Sequence, residues 1–284
     1  MPELPDIEIF KRYVDATSLH QKISNTEVRN EKVLGAVSAR KLQSTLKGHT
    51  FESTRRHGKN LFVKLDDGGW MLMHFGMTGS LAYFENPDDE PPHSRLLFAF
   101  ENGYHLAFDD ARMFGKVDLI GHPEDFLRNR ELGPDPLEMD ASSFRERLRR
   151  TRGGIKATLM NQKMLAGIGN LYSDEILFQA CIHPQTSVAQ LDDPTLQILH
   201  KETLRVLNKA IDQEAYPQEL PDSFLLSHRQ EGASCPRGNG QIQKLQAAGR
   251  TAYFCPTCQR ARSGPRGLRL SARRPAGGSS ARSG

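Results

Sequence analysis

Near Gly133 the spacing of apolar residues changes its period, and that change divides the chain into two kinds of structure. Ahead of it, between about residues 24 and 120, apolar residues come in short runs broken by turn signals: "KNLFVKL", then "DDGG", then "WMLMHF". "RLLFAF" and "YHLAFD" flank "ENG", the signature of a hairpin. Strands of this kind must close their apolar faces on one another, which predicts an antiparallel sandwich or barrel. After "LGPDPL" the pattern turns helical, through "SSFRERLRRTR", "IKATLMNQKML", "LYSDEILFQA" and "DDPTLQILHKETLRVLNKAIDQ". In the last of these, Asp193 is the expected N-cap and Pro194 the first helical residue, with a buried stripe at Leu196, Leu199, Leu204, Leu207 and Ile211. One helix also precedes the strands. Ile7, Phe10 and Val14 share its face, with Asp6 and Glu8 early and Lys11 and Arg12 late, the order a helix dipole favours. The fold class is α+β.

At 284 residues, 37% hydrophobic and 25% charged, the chain has the material for two globular domains with appendages. The expected organisation is a β domain over 1–130 with a leading helix, a helical domain over 131–222, a Cys-bearing hairpin module over 223–262, and a disordered Arg/Gly/Ser tail over 263–284. No run is long enough to span a bilayer, and "MPELPDIEIF" lacks the basic start and apolar stretch of a secretory signal, so a cytoplasmic location is expected. The formal net charge of +4 suggests an anionic partner, but it comes from the tail. Without Arg266, Arg269, Arg273, Arg274 and Arg282 the remaining chain stands near −1, so a nucleic-acid argument has to rest on local clusters.

Four cysteines occur. Cys181 lies in the apolar stretch "ILFQACIHP" and is expected to be a small buried hydrophobe. Cys255 and Cys258 form a CPTC knuckle, and Cys235 stands twenty residues before Cys255. Two complete knuckles would give the four thiolates of a structural zinc site, but "CPRG" puts Gly238 where the second thiolate of the first knuckle belongs. Two outcomes are open: a zinc site completed by water or by a histidine such as His228, or a hairpin, "QIQKLQAAGRTAYF", folded by packing alone. Either way a ribbon with Lys244 and Arg250 near its tip can enter a DNA groove.

"AGIGNLYSDEILFQACIHP" places a glycine pair ahead of a helix. Such glycines often only cap one helix and begin the next. Their functional reading is a helix, two turns and a helix whose backbone N–H groups and Asn170 side chain hold a phosphate. Upstream, Arg145, Arg147, Arg149, Arg150, Arg152 and Lys156 crowd a short stretch that reads as a solvated face or a DNA contact.

Together, "PELPDIE", "RRHGKNLFV", "MHFGMTGSL", "DDARMFG", "LGPDPL", "IKATLMNQKMLAGIGNLYSDEILF" and "GRTAYFCPTCQ" resemble the formamidopyrimidine-DNA glycosylase and endonuclease VIII family, in order from Pro2 to about Arg260. The resemblance implies an N-terminal β-sandwich domain with a leading helix, a C-terminal helix-two-turns-helix domain and a zinc or zincless finger. It also implies excision of oxidised bases from double-stranded DNA, followed by nicking at the abasic site through β,δ-elimination. Pro2 matches the nucleophile, freed when Met1 is removed, and its secondary amine can form an iminium ion with C1′ of the deoxyribose. Glu3 matches the adjacent acid that moves protons at the sugar, and Lys59 a lysine at the lesion phosphate. Met77, Arg112 and Phe114 match the residues that fill the gap left by the extruded base, in the pattern of the purine-directed branch. His74, Asn170 and Arg250 match phosphate-binding positions, and Glu175 the acid that steadies the N-terminal proline.

Three departures stand out. Asp6 replaces a glutamate of the opening motif. Gly238 removes a metal ligand, leaving Cys235, Cys255 and Cys258. The stretch between Gln213 and Cys235 is shorter than in purine-directed members, where a loop closes over 8-oxoguanine; this argues against tight 8-oxoguanine recognition and leaves formamidopyrimidines, oxidised pyrimidines and abasic sites. The leading expectation is a monomeric, nucleoid-associated bacterial glycosylase and abasic-site lyase. Its rivals are a damage-binding protein of low turnover on the same scaffold, and a nucleic-acid module unrelated to repair, which leaves Pro2, Glu3 and Lys59 without a purpose.

Overall fold

The computed structural model describes residues 1–216, 219–238 and 240–260; the tail expected to be disordered lies outside the described residues. Helix α1 (Leu4–Thr17) leads into eight strands: β1 (Ile23–Val28), β2 (Phe51–His57), β3 (Asn60–Leu65), β4 (Trp70–His74), β5 (Ser80–Phe84), β6 (Ser94–Phe100), β7 (His105–Asp109) and β8 (Lys116–Ile120). They form two four-stranded sheets, ordered β1-β6-β7-β5 and β2-β3-β4-β8, and every pairing is antiparallel. The hairpin around "ENG" is the β6–β7 pair. Inward residues of both sheets, among them Phe51, Val63, Met71, Phe98 and Phe108, share one core with Ile7 and Val14 of α1. A short helix, α2 (Ala39–Leu46), packs beside β1.

The chain leaves the sandwich through α3 (Pro123–Asn129) and continues as α4 (Ala141–Arg149), α5 (Ile155–Met160), α6 (Asn170–Gln179) and α7 (Asp193–Asp212). Their apolar faces enclose a second core that includes Phe144, Leu159, Ile176, Leu199 and Leu207. The α7 N-cap is Asp192, one residue earlier than the sequence suggests, with its side chain accepting from Thr195 N–H; Pro194 follows within the first turn. Its buried stripe takes Val206 where the apolar count pointed to Leu204. The finger carries β9 (Gln243–Ala247) and β10 (Arg250–Phe254), joined through Ala248 and Gly249 at positive φ, as a two-residue hairpin turn requires.

Helix α1 belongs to both cores. Ile7 and Val14 face the sandwich while Leu4, fully buried, joins the helical core, where its burial contributes about 2 kcal/mol. The seam is also polar. Arg56 bridges Glu8 and the buried Asp135, Asp135 accepts from Gly58 N–H at 3.0 Å, and His57 Nε2 meets the Gly133 carbonyl at 2.8 Å. Two turns touch there: Gly58 (φ +55°) and Gly167 (φ +110°) approach so closely that a Cβ on Gly167 would lie 2.8 Å from Leu4 and 3.1 Å from Gly58 Cα. Only glycine tolerates both the conformation and the contact.

Candidate active site and nucleic-acid interface

The N-terminal residues are fixed by reciprocal capping. Glu3 is the N-cap of α1, and Asp6, three residues on, accepts from Glu3 N–H at 2.8 Å. An aspartate therefore suffices at position 6, because its work here is to hold the Glu3 backbone. The Glu3 side chain crosses to the other domain and caps α6. Its Oε2 accepts from Gly169 N–H at 2.6 Å and Tyr172 N–H at 3.3 Å, and its Oε1 from Leu171 N–H at 2.8 Å. A carboxylate at a helix N-terminus meets both orphan donors and the positive end of the dipole.

Lys59 comes to the same point from the turn between β2 and β3. A Cβ on Gly169 would lie 2.4 Å from Glu3 Oε1 and 2.7 Å from Lys59 Nζ, so the bare backbone of Gly169 leaves the space these two side chains occupy. Burial raises the Glu3 carboxyl above its ordinary range, against the opposing pull of Lys59 and of the three backbone N–H groups. Asp6 is raised by burial too, and Lys59 is lowered by burial despite Glu3 and Asp6, with Arg250 adding to the decrease. The arrangement holds an acid and an amine, both shifted toward neutrality, at the seam between domains, and the acid is the residue that follows Pro2. Met1 is present here, so the Pro2 nitrogen is an amide.

Glu175 finds its hydrogen-bond partners within α6 and in the segment after α7. Its carboxylate accepts from Leu226 N–H at 2.8 Å and from Gln179 Nε2 at 2.7 Å, and burial pushes it up to about 7. It secures the segment leading into the finger; among the described residues no hydrogen bond joins it to Pro2. Asp6, through Glu3 N–H, supports the terminus from within α1.

Beside Lys59 a cavity of about 630 Å³ opens, lined by Asn60, His74, Phe114, Arg130 and Gln162 among others. His74 Nδ1 accepts from Gly76 N–H at 3.2 Å, which leaves Nε2 as the donor of a neutral ring; burial, Lys59 and Arg130 all lower its basicity. Met77 and Phe114 are 39% and 54% exposed, a cost without a core to repay it, and the Arg112 guanidinium sits 5.2 Å from the Phe114 ring centre. Their loops are organised by the fully buried Asp110, whose oxygens accept from Arg112 N–H, Thr78 Oγ1 and Gly115 N–H. Asp110 was hidden inside the "DDARMFG" motif with nothing to mark its role.

Asn170 begins α6 and donates through Nδ2 to the Thr251 carbonyl at 3.2 Å, while its Oδ1 is buried without a partner. Arg250 stands at the hairpin turn and acts electrostatically on Lys59, so Lys59, Asn170 and Arg250 converge. Lys244 is at the far end of the hairpin, paired with Glu231 at 2.7 Å, and not near the tip. A buried cluster that the sequence did not reveal ties the finger down: Asp174 accepts from Lys156, from Arg229 at 2.8 and 3.0 Å, and from Tyr253 N–H at 3.2 Å. The basic run is thereby partly consumed by structure, since Arg147 caps the Lys163 and Met164 carbonyls and Arg149 pairs with Asp193.

In the finger, Cys235, Cys255 and Cys258 bring their sulfurs within 4.8 Å of one another, which could hold a metal. His228 is outside this group, with Nε2 at 3.2 Å from the Asp222 carbonyl. Cys181 is exposed, contrary to expectation: it follows the end of α6 at φ +55°, and its sulfur faces Arg237 at 2.7 Å.

Residues 1–117 match the formamidopyrimidine-DNA glycosylase N-terminal domain, and residues 132–219 the H2TH domain of the same enzymes. The chain belongs to the formamidopyrimidine-DNA glycosylase family. It is 32% identical over 276 residues to the glycosylase of Pelotomaculum thermopropionicum, covering 92% of this chain and 99% of the relative. The Arabidopsis thaliana family member is 30% identical over 92% of this chain and 71% of its own length. The Lactococcus lactis enzyme, solved with DNA containing an abasic site, is similar with a TM-score of 0.82 and 30% identity over 91% of this chain and all of that one. A variant of it solved with formamidopyrimidine-containing DNA gives 0.83 and 30% over 92% and all of that chain. Among the described residues no helix is long and apolar enough to cross a membrane.

Proposed function

We propose that this family member is a bifunctional base-excision-repair enzyme: it removes oxidised bases from double-stranded DNA and then nicks the abasic strand. The observation that carries the reading is Glu3, 1% exposed and fixed by three N–H groups of the opposite domain with Lys59 alongside. Once Met1 is removed, the Pro2 amine attacks C1′, the base departs with the electrons of the glycosidic bond, and an iminium ion links enzyme and sugar. Glu3 gives a proton to the opening ring oxygen and afterwards accepts one, a role suited to a carboxyl held above its ordinary range. Loss of a C2′ proton expels the 3′ phosphate, a second elimination expels the 5′ phosphate, and water releases the sugar fragment.

Lys59, His74, Asn170 and Arg250 bind the phosphates around the lesion, and Met77, Arg112 and Phe114 enter the space the extruded nucleotide leaves. The lesions favoured are formamidopyrimidines, oxidised pyrimidines and abasic sites, given the short stretch before Cys235. One structural zinc fits the Cys235, Cys255 and Cys258 thiolates, with solvent in the place Gly238 leaves open. The enzyme works as a monomer on chromosomal DNA in the cytoplasm. Borohydride trapping on an abasic-site duplex, with loss of Met1 confirmed by mass, tests the proposal: a covalent adduct is expected on Pro2. Binding without any adduct would instead select the damage-binding reading.

A further inference from the structure

The finger presents three sulfurs to one point and, among the described residues, no fourth His, Cys, Asp or Glu donor. Cys235 Sγ and Cys258 Sγ are 3.6 Å apart, and the Cys255 sulfur lies within 4.8 Å of both. Metal–sulfur bonds of about 2.3 Å in a tetrahedron set sulfurs about 3.8 Å apart, so the span suits a single bonded centre. Position 238 supplies nothing toward it. Gly238 is exposed, its φ is +72°, and a Cβ built there meets no atom within 4 Å. No other His, Cys, Asp or Glu of the described residues joins the group. On the inner side the site is closed, since Cys235 and Cys255 are 3% and 0% exposed and pack with Phe178, Leu225 and Ile242.

We propose that Cys235, Cys255 and Cys258 form a tris-thiol site for trivalent arsenic. Arsenous acid, As(OH)₃, exchanges its three As–O bonds for three As–S bonds. Each thiol proton leaves with one hydroxyl group as water, and no electron is transferred. Trivalent arsenic is three-coordinate and pyramidal, with a lone pair where a fourth ligand would stand, so the gap at Gly238 costs it nothing. Zinc must recruit a ligand there. The arsenic adduct is also neutral, whereas a divalent ion on three thiolates carries a net negative charge against Phe178 and Ile242, a less favourable surrounding for it. The hairpin and its apolar cluster form through packing and backbone pairing, so loading need change only the sulfurs.

The inference goes beyond the DNA chemistry and stands or falls apart from it. The full-length reduced protein is mixed with one equivalent of sodium arsenite, and its free thiols are counted with a chromogenic disulfide reagent. Three of the four cysteines should be protected, leaving exposed Cys181 reactive, and the native mass should rise by one arsenic less three hydrogens. Cys181→Ser should bind arsenite unchanged, while Cys258→Ser, at a half-exposed position, should bind it at least tenfold more weakly. Protection of two thiols or none overturns the proposal, as does equal binding by Cys258→Ser. With one equivalent of zinc preloaded, release of zinc to a chromophoric chelator on adding arsenite supports it. Retained zinc with no arsenic bound overturns it and leaves the structural zinc site intact.

Discussion

Replacing Glu175 by Gln should make the protein less sensitive to pH, and the size of the effect follows from the site. Glu175 is fully buried on α6, and its carboxylate accepts from Leu226 N–H and Gln179. Burial raises it from an ordinary 4.5 to about 7, more than those two donors, Leu225 N–H and the charge of Arg205 pull it down. Because the folded value lies above the unfolded one, the group's contribution is most favourable below about pH 4.5. It is lost as pH rises through about 7, since the unfolded chain releases the proton first. At about 1.4 kcal/mol per pKa unit the loss across that window is about 3 kcal/mol. Glutamine keeps an oxygen for Leu226 N–H and cannot ionise. Urea unfolding followed by far-UV circular dichroism at pH 5 and pH 8 gives the test. Between these two pH values, which miss the start of the window, the stability difference between Glu175→Gln and the parent should move by about 2 kcal/mol in favour of the variant at the higher pH. Equal pH dependence in the two proteins would refute the assignment. A variant that instead kept its pH profile but lost borohydride trapping would return Glu175 to the N-terminal proline.

Gly169→Ala places a methyl group 2.4 Å from Glu3 Oε1 and 2.7 Å from Lys59 Nζ, and overpacking of this kind costs about 1–3 kcal/mol. Nicking of an abasic-site duplex should fall by about a hundredfold while Gly154→Ala, with nothing within 4 Å of its Cβ, keeps full activity; similar rates for the two would sink the proposed geometry. Lys59→Ala removes the charge that most opposes the rise of the Glu3 carboxyl, so the Glu3-dependent limb of the kcat/KM profile should move to higher pH. A limb that stays in place would show that Glu3 is not the group observed. Phe114→Ala removes an exposed ring, so thermal stability should stay within about 0.5 kcal/mol of the parent. Affinity for lesion duplex should drop tenfold or more, measured by fluorescence anisotropy, and unchanged affinity would exclude Phe114 from the space left by the extruded base.

What could be read from the chain and what could not separates by range. The change of period near Gly133 exposed the two layers because side-chain periodicity is local, and the "ENG" hairpin and the start of α7 were legible for the same reason. Asp6 looked like a defect because the glutamate it replaces is judged by chemistry at the site, while its observed partner, Glu3 N–H, lies three residues away. Glu3 itself was visible as an acid beside a candidate nucleophile. Its second function, capping α6 across 166 residues, depends on two turns meeting at Gly58 and Gly167, which no local pattern records. Cys181 misled because an apolar neighbourhood in sequence says nothing about the left-handed residue that ends a helix and turns its side chain outward. Lys156, within a basic run that reads as a solvated face or a DNA contact, is instead the fully buried partner of Asp174. An unpaired buried charge is costly, so the finger must dock through Arg229 and Tyr253 for that pair to be satisfied. Docking in turn sets Arg250 close enough to Lys59 to shift it, so the hairpin acts on the same charge that balances Glu3. The finger is therefore electrostatically coupled to the Glu3 and Lys59 pair, and loosening the Asp174 contacts should disturb Glu3 without touching any residue near Pro2.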